Sequence, residues 1–442
     1  MATVVRQCDG IDQALTPQGE ATPTIFARST GALPSAIAIV RVSGPQSAAA
    51  LEAMTRRALP SPRAAVIRRL YDAREDLLDS AMVLWLPGPD TVTGEDLVEF
   101  HLHGSRAVVA GVETALSALP GLQAAEPGEF TRRAFENGRM DLSQVEGLAD
   151  LLSAETARQR TAALTMAEGG LRRAVEDWQV RLLDLAARIE ASIDHEDEPD
   201  VVAGPLDADT RALVASLDSA LAHPPAERLR DGVRIGIAGP PNAGKSTLIN
   251  ALAGREAAIV SPIAGTTRDL VEVSLNLDGI PVVLIDMAGL RADSLDPIEQ
   301  IGIARAEEAM TRCDLILWLG VGDEVPEGRV MTVATKSDIE AGRLAEQVVS
   351  AITGDGIDAL RAAIRTRAEE LLPSLGELTL STGQRGHLAM ARDGLIRSVG
   401  EVDDVLRAEA VLQAMVSLDR ITGRADTEAM LDALFGRFCI GK

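Results

Sequence analysis

The pattern of hydrophobic and polar positions divides this chain of 442 residues into segments of different character. Up to about residue 130, short apolar runs such as Ala36–Val42, Ser80–Leu86 and Leu97–Leu102 alternate with stretches of helical period. This mixture predicts a compact α+β domain. Further on, the period becomes helical, with a long amphipathic stretch from Leu171 to Ile193.

A segment of α/β character interrupts the helical pattern. The acidic run Asp194–Asp200 ends the first helical part and predicts a loop, after which helical period resumes over Asp207–Ala222 and returns over Arg385–Phe435. The simplest architecture inserts an α/β domain into a helical domain that both flanks build. The predicted domains are 1–130, an N-terminal α+β domain; 131–231, the first part of the helical domain; 232–373, a G domain; and 374–442, the second helical part with the motif Phe438–Lys442.

The inserted segment begins with a phosphate-binding loop. Gly239–Ser246 satisfies G-x-x-x-x-G-K-S/T, an apolar strand pattern precedes it at Val233–Ala238, and a helical start follows at Thr247–Leu252. In that setting the glycines turn backbone N–H groups toward phosphates, Lys245 reaches the β- and γ-phosphates, and the Ser246 hydroxyl ligates Mg²⁺. An ordinary glycine-rich turn is the less favoured interpretation in this context.

Two further motifs follow the loop at the offsets of a GTPase. Thr266 and Thr267 lie where a loop could bring a hydroxyl to Mg²⁺ and the γ-phosphate. A hairpin is predicted at Asp278-Gly279, and the second strand runs into Asp286-Met-Ala-Gly289, a D-x-x-G motif. Asp286 would hold Mg²⁺ through water, and the Gly289 N–H would sense the γ-phosphate.

A base-reading element is expected after the strand Val330–Ala334. Thr335-Lys-Ser-Asp338 departs from N-K-x-D at its first residue, which puts in doubt one hydrogen bond to guanine N7 or to the phosphate loop. Asp338 can accept the N1–H and N2 amino hydrogens of guanine, and such sites reject wrong partners by roughly 10⁴-fold. Ser350–Gly354 resembles the last guanine-contacting loop. GTP is therefore predicted over ATP. The predicted GTP-binding residues are Asn242, Ala243, Gly244, Lys245, Ser246, Thr247, Ser261, Pro262, Ile263, Ala264, Gly265, Thr266, Thr267, Asp286, Met287, Ala288, Gly289, Thr335, Lys336, Ser337, Asp338, Ser350, Ala351 and Ile352.

The residue after D-x-x-G is Leu290, which cannot orient a water as the glutamine of Ras-like switches does. Asn242 could ligate a monovalent cation where an arginine finger would act, and Glu299 could orient the attacking water. The alternatives are a loop-stabilising role for Asn242 and a solvated helix position for Glu299. The chemistry of the residues alone does not choose between them.

Composition narrows the classes of function. The net charge of −23 excludes a continuous basic track for nucleic acid, and aromatic residues, at 2%, are too few for a base-stacking platform. A local patch or a partner would then have to hold any nucleic acid. Three cysteines without metal-ligand spacing suit a reducing cytoplasm, and no apolar run approaches the ~18 residues of a membrane span.

Two smaller features leave alternatives open. Arg41, Glu99 and Arg139 could bind a small anion, although spacing does not bring them together and surface ion pairs are the favoured interpretation. Cys439, beside Lys442 near the C-terminus, could be an accessible functional thiol. Chemistry alone favours a packed terminal thiol.

The assembled pattern resembles the bacterial and organellar family of tRNA-modification GTPases known as MnmE or TrmE. Besides the G-domain motifs, the residues that carry this resemblance span both ends of the chain: Val40–Gly44, Thr93–Asp96, His101–Gly104, Pro127–Gly138 and Phe438–Lys442. Other GTPases share the phosphate loop but not these ends. The fold that follows is a multidomain α/β and α protein, with a folate-binding-like α+β domain, a central helical domain and an inserted Ras-like P-loop G domain with a mixed, mostly parallel sheet.

The resemblance also implies ligands. It places a 5-formyl-tetrahydrofolate-type one-carbon donor at Arg41, Glu99, Arg139 and Lys442, and it makes Glu299 the catalytic glutamate beside Lys245 and Asn242. One residue is inserted before Glu299, between Ala292 and Pro297. It implies Mg²⁺ with Ser246 and Thr267. K⁺ is placed with Asn242, Ser261, Ile263 and Thr266, and Cys439 matches the cysteine of the C-terminal motif.

The implied function is GTP hydrolysis that drives addition of an aminomethyl or carboxymethylaminomethyl group to C5 of the wobble uridine of certain tRNAs. The resemblance implies a homodimer through the N-terminal domains and a flavoprotein partner, MnmG, within whose complex tRNA is held. Two alternatives remain: a ribosome-assembly GTPase, although such proteins usually carry a basic RNA-binding module, and a non-enzymatic GTP-dependent scaffold.

Overall fold

The computed structural model of the protein describes residues 22–194, 206–240, 242–257, 272–287, 310–320, 328–339, 344–374 and 378–423, together with 431, 434–436, 438, 440 and 441. The chain divides into two compact units, 1–140 with 428–442, and 141–427. The boundaries predicted above for four segments stay predictions. Among the helices of the described residues, none combines the length and the apolar composition needed to cross a bilayer.

The first unit is built on one six-stranded sheet of order β3-β4-β5-β2-β1-β6, antiparallel except for the β1–β6 pair. Strands with alternating patterns bury Val40, Val83 and Phe100 on the face that the helices cover, and leave the opposite face half-exposed. The elements of this unit are β1 (Thr24–Arg28), β2 (Ile37–Ser43), α1 (Ser47–Thr55), β3 (Val66–Tyr71), β4 (Leu77–Leu86), β5 (Leu97–His103), α2 (Arg106–Ser117), β6 (Leu122–Ala124) and α3 (Glu129–Glu136).

Helices from both flanks of the inserted segment form one bundle in the second unit. Its core joins Leu182, Leu213, Leu388 and Leu418, which come from four different helices. The helix starts are locally encoded, because Asp141, Thr156 and Ser381 each form a capping box with a glutamine three residues on. The helices are α4 (Leu142–Ser153), α5 (Ala157–Ala167), α6 (Gly170–Asp194), α7 (Leu206–Ala222), α8 (Glu227–Arg230) and, after the insertion, α11 (Thr382–Ser398) and α12 (Asp404–Ile421).

The inserted segment folds around a second six-stranded sheet of order β12-β11-β10-β7-β9-β8, parallel except for the β8–β9 hairpin. Asp278 and Gly279 turn that hairpin with φ of 50° and 92°, the conformation that a D-G turn supplies. The elements are β7 (Val233–Ala238), α9 (Lys245–Ala257), β8 (Glu272–Leu277), β9 (Ile280–Asp286), β10 (Leu315–Trp318), β11 (Val330–Ala334), β12 (Gln347–Val348) and α10 (Ile357–Glu369). The predicted fold class is confirmed.

Helix α5 holds the chain at both points where it passes between the bundle and the inserted segment. The Gln159 amide donates to the carbonyl of Arg230, just before β7, at 3.0 Å. The residue before it, Arg158, donates from its guanidinium to the carbonyl of Pro373, just after α10, at 2.6 Å, and pairs with Glu369 at 3.2 Å. Both connections between the bundle and the inserted segment are therefore held by a single helix of the bundle.

Candidate active site

The phosphate loop adopts a backbone that its sequence allows. Gly239 has φ of 149°, and a Cβ there would lie 3.0 Å from the Cβ of Leu319, so a larger residue would collide with the end of β10. Asn242 (φ 61°) and Gly244 (φ 88°) take left-handed conformations, which glycine and asparagine tolerate best. The loop then enters α9 at Lys245. Such a turn presents consecutive N–H groups, and the helix start adds positive potential for an anion.

Lys245 lies across the loop that precedes it. Its ammonium donates to the carbonyls of Gly239 at 3.0 Å and Pro240 at 3.1 Å. Two backbone acceptors therefore fix the cation over the loop, with one of its three N–H donors left for a ligand oxygen.

Ser246 and Asp286 come together at the ends of α9 and β9. The Ser246 hydroxyl donates to Asp286 Oδ2 at 2.9 Å. Asp286 is only 8% exposed, and its Oδ1 is buried without a hydrogen-bond partner among the described residues. A buried carboxylate oxygen without a partner is costly unless a cation or its water shell satisfies it. Because Mg²⁺ prefers oxygen ligands and keeps several waters, this pair fits a magnesium site. Thr267, the other predicted Mg²⁺ ligand, lies outside the described residues.

The first residue of the base-reading element keeps a link to the phosphate loop. Thr335 is buried, and its hydroxyl donates to the carbonyl of Ala243 at 2.6 Å. The hydroxyl therefore makes the loop contact that the loss of asparagine put in doubt. Lys336, half-buried with φ of 61°, follows at the turn of the chain.

The guanine-reading carboxylate is held by a second loop. The fully buried Ser350 donates from its hydroxyl to Asp338 Oδ1 at 2.6 Å, and the Ser337 N–H bonds the carbonyl of Val349 at 3.2 Å. Asp338 itself is exposed, so its carboxylate is oriented and still open to a ligand. This link between the two motifs had no signal in the sequence beyond their order. Ile352, two residues on, is 77% exposed.

Met287, the second residue of the D-x-x-G motif, is a packing residue. It is fully buried, and a Cβ added to Gly236 on β7 would lie 2.5 Å from its terminal methyl carbon and 3.1 Å from the Cys313 sulfur. The absence of a side chain at Gly236 leaves room for both sulfur atoms. Burial also raises the pKa of the Cys313 thiol to about 11, so this cysteine stays protonated and unreactive near neutral pH.

The rest of the predicted catalytic and switch residues lie outside the described residues, and their roles stay predictions. These are Ser261, Pro262, Ile263, Ala264, Gly265, Thr266, Thr267, Ala288, Gly289 and Glu299, with Leu290 beside them.

A second polar cluster lies on the half-exposed face of the first sheet. Arg41 on β2 and Glu99 on β5 are register partners, and the Arg41 guanidinium donates through Nε and Nη2 to Glu99 Oε1 at 3.1 and 2.9 Å. His101, two residues along the same strand and therefore on the same face, contacts Glu99 Oε2 at 3.2 Å. The Arg41 guanidinium also lies 5.9 Å from the centre of the Phe130 ring. His101 was not predicted as a member of this site, although the i, i+2 alternation of a strand places it on the same face as Glu99 and could have indicated it.

The other residues predicted for the folate site are placed differently. Arg139 is 41% exposed and pairs with Asp90 at 3.5 Å, beside Gly94, rather than with the Arg41–Glu99 pair. Lys442 and Cys439 lie outside the described residues. Their neighbours in sequence pack within the first unit: the Ser29 hydroxyl donates to the carbonyl of Gly441 at 2.9 Å, and Pro127 forms a bridge with Ile440.

A buried charge network fixes the loop between β4 and β5. The Arg133 side chain, 6% exposed, bonds Glu95 at 3.2 Å and Glu129 at 2.8 Å. Glu95 in turn accepts from the Ser43 hydroxyl at 2.7 Å, and the Asn137 amide donates to the carbonyl of Thr93 at 2.7 Å. The network ties α3 to β2, close to Arg41 along the strand. Its members are spread over 95 residues of sequence, so no local signal indicated it.

Comparison with known proteins identifies both units. A family model described as the GTP-binding protein TrmE N-terminus matches residues 24–139, and one described as the MnmE helical domain matches residues 142–439. A protein of Novosphingobium aromaticivorans named tRNA modification GTPase MnmE is 50% identical over 437 residues, which cover 95% of this chain and all of that protein. A protein of the same name from Rhizorhabdus wittichii is 52% identical and covers 97% of this chain and 98% of that protein.

A solved structure, the G domain of the T. maritima FeoB iron transporter, is 27% identical over 31% of this chain and 98% of that chain, with a TM-score of 0.23. The assignment to a family rests on the full-length relatives.

Proposed function

Because this chain belongs to the MnmE (TrmE) family of tRNA modification GTPases, we propose that it hydrolyses GTP to drive C5 modification of the wobble uridine in certain tRNAs. The group added is aminomethyl or carboxymethylaminomethyl. The observation that carries the proposal is the contact between Ser246 and Asp286, whose second carboxylate oxygen is buried and unpartnered where a nucleotide-bound Mg²⁺ would lie.

The described residues account for binding and orientation of GTP. Lys245 and the loop N–H groups would hold the phosphates, and Ser246 with Asp286 would hold a magnesium ion, which would neutralise phosphate charge. Asp338, oriented by Ser350, accepts hydrogen bonds from the N1–H and N2 amino group of guanine. Adenine offers no such pair of donors, so this arrangement selects GTP over ATP.

Because Leu290 occupies the position of the water-orienting glutamine of Ras-like switches, another residue must orient the attacking water. Glu299 is proposed as the residue that orients the attacking water, and Asn242 as a ligand of K⁺ together with Ser261, Ile263 and Thr266. Asn242 belongs to the phosphate loop and has a left-handed backbone. A cation bound there would stabilise the negative charge of the transferring phosphoryl group. Thr267 is proposed as a second ligand of Mg²⁺ beside Ser246.

A one-carbon donor of the 5-formyl-tetrahydrofolate type is proposed on the first unit. Glu99 is oriented by Arg41, which occupies Oε1 with two hydrogen bonds, and by His101 at Oε2. The remaining lone pair on Oε2 suits the amino-pyrimidine edge of a folate. Arg139 and Lys442 would meet the anionic part of the ligand. Cys439, one residue before Ile440 in the docked C-terminal segment, is proposed as a functional thiol.

The assembly proposed is a cytoplasmic homodimer that works with the flavoprotein MnmG and contacts tRNA mainly within that complex. A chain of net charge −23 benefits from a partner that carries part of the positive surface.

Nucleoside mass spectrometry on tRNA from cells with and without the gene tests the proposal. Loss of C5-aminomethyl-type wobble uridines, restored by the wild type but not by Glu299→Ala, is the expected result. Unchanged wobble uridines would refute it, and cosedimentation with ribosomal subunits would then favour ribosome assembly. If titration calorimetry with 5-formyl-tetrahydrofolate gives no heat, or if Arg41→Ala does not alter binding, the folate assignment is wrong and a scaffold role for the first unit is favoured.

A further inference from the structure

The outer edge of the first sheet carries a concentration of arginines that is unusual in an acidic chain. Between Arg56 and Arg74 the sequence holds six arginines and one acidic residue, Asp72, although the whole chain has a net charge of −23. β3 is the terminal strand of its sheet, so this segment borders solvent. We name it the arginine edge; its members are Arg56, Arg57, Arg63, Arg68, Arg69 and Arg74.

A single ion pair brings the two ends of the segment together. Arg56, the C-cap of α1, pairs with Glu75 in the β3–β4 turn at 2.9 Å, and its guanidinium lies 5.1 Å from the centre of the Tyr71 ring. Arg57 and Arg74 are the sequence neighbours of this pair. The pair therefore places both of them at one end of the edge strand.

Arg57, Arg69 and Arg74 are exposed, and no acidic partner engages their side chains among the described residues. Arg68, half-buried, donates only to the carbonyl of Ile67 beside it. Of the nearby acidic groups, Glu75 pairs with Arg56, Asp79 bonds His103, and Asp72 accepts hydrogen bonds from the backbone N–H groups of Arg74 and Asp76. Asp76 remains at the turn. The edge consequently presents three exposed guanidinium groups that no acidic side chain of the described residues pairs with.

The dimensions suit a phosphate backbone. A strand of six residues is roughly 20 Å long, at about 3.3 Å per residue. Arg68 and Arg69 flank it on opposite faces near its middle, and Arg63 lies before its start. Guanidinium groups bind phosphate in forked geometry, and a line of them follows a backbone without reading bases.

We infer that the arginine edge binds the phosphate backbone of RNA, with tRNA as the occupant. The inference rests on the proposed function for the identity of the RNA, and on the charge and exposure of the edge for its place. The acidic composition of the chain implies that a local patch or a partner holds any nucleic acid, and the arginine edge is such a patch.

Salt-dependent binding of deacylated total tRNA to the full-length protein tests this. The variant is Arg57→Gln/Arg69→Gln/Arg74→Gln. Three phosphate contacts at roughly 0.7 counterions each make the slope of log Kobs against log salt shallower by about 2. Between 50 and 200 mM salt, a slope of 2 corresponds to about a 16-fold loss of affinity. Over this range the affinity of the wild type should therefore fall about 16-fold more than that of the variant. Tm and GTP hydrolysis without tRNA should equal those of the wild type, because all three side chains are exposed.

The matched control changes three exposed arginines elsewhere, Arg160, Arg211 and Arg397, to glutamine, with the same change in net charge. Its salt slope should equal that of the wild type. Equal losses in both variants would mean that only total charge matters, and an unchanged slope in the edge variant would refute the site directly. Preferential loss of binding to vesicles containing phosphatidylserine, with tRNA binding intact, would replace RNA by a membrane surface.

The cellular assay separates the two proposals. If wobble uridines depend on the gene while the edge variant binds tRNA as the wild type does, the proposed function stands and the arginine edge is wrong. If the modified wobble uridines do not depend on the gene, but the slope of log Kobs against log salt becomes shallower in the edge variant and not in the control variant, the edge binds RNA and the proposed function is wrong.

Discussion

Thr335→Val should weaken guanine nucleotide binding while preserving shape. Valine has nearly the volume of threonine, so the substitution removes the hydroxyl that donates to Ala243 at 2.6 Å without opening a cavity. Thr335 is 5% exposed, which means that water does not readily replace the lost donor. The carbonyl of Ala243, inside the phosphate loop, then lacks its partner.

The expected magnitude follows from that burial. An acceptor left without its hydrogen-bond partner costs about 1–3 kcal/mol. If the full cost falls on nucleotide binding, it raises the Kd for GDP about 5- to 150-fold. Thr335→Asn, which restores the usual residue of the motif, should bind at least as well as the wild type.

Fluorescence titration with a labelled GDP measures the effect, and Tm without nucleotide is measured in parallel. The control is Thr332→Val, since the Thr332 hydroxyl only accepts from the Glu346 N–H at an exposed position. A Kd within twofold of wild type for Thr335→Val would refute the reasoning. A lower Tm with unchanged Kd would show that the contact stabilises the fold and not the nucleotide site.

Three further predictions concern other described residues. Asp286→Asn should leave Tm without nucleotide unchanged or higher, because it neutralises a buried unpartnered oxygen, while Mg²⁺ ceases to tighten GTP binding in titrations; retained Mg²⁺ dependence would contradict this. Ser350→Ala removes the hydroxyl that donates to Asp338 and accepts from the N–H of the exposed Thr353. Loss of the bond to Asp338, worth about 0.5–1.5 kcal/mol, should raise the Kd for GDP about 2- to 12-fold but leave inorganic triphosphate binding unchanged; equal losses for both would place the effect on the whole fold. The Cys313 thiol has a pKa of about 11 in the folded protein against 9.0 ordinarily, so its contribution to stability is complete below pH 9 and is lost as pH rises toward about 11. The difference in the free energy of unfolding between wild type and Cys313→Ala, measured by denaturant titration, should therefore change across that pH range. A constant difference would contradict the prediction.

Features set by short stretches of sequence were predictable. The phosphate loop, the D-G hairpin and the amphipathic α6 each carry their signal within a few consecutive turns or residues. The contacts that complete the sites depend on register between distant strands and loops. Arg41 and Glu99 are 58 positions apart, and their pairing depends on the alignment of β2 with β5.

Substituted motif positions were the least predictable. The replacement of asparagine by Thr335 suggested a lost contact, yet the shorter side chain still reaches the loop carbonyl. The packing role of Met287 could not be predicted, because its partner Gly236 on β7 is 51 positions earlier and offers no signal except the absence of a side chain.

The double attachment on α5 restricts how the nucleotide-binding domain can turn. A domain joined by flexible linkers can rotate without moving the domain into which it is inserted. Here both connecting segments are hydrogen-bonded to adjacent residues of α5, Arg158 and Gln159. A rotation driven by GTP must either break these bonds or carry α5 with it. A rotation at the nucleotide would thus reach the bundle partly through α5, and hydrogen exchange of the α5 amides should then change between the GDP and GTP-analogue states.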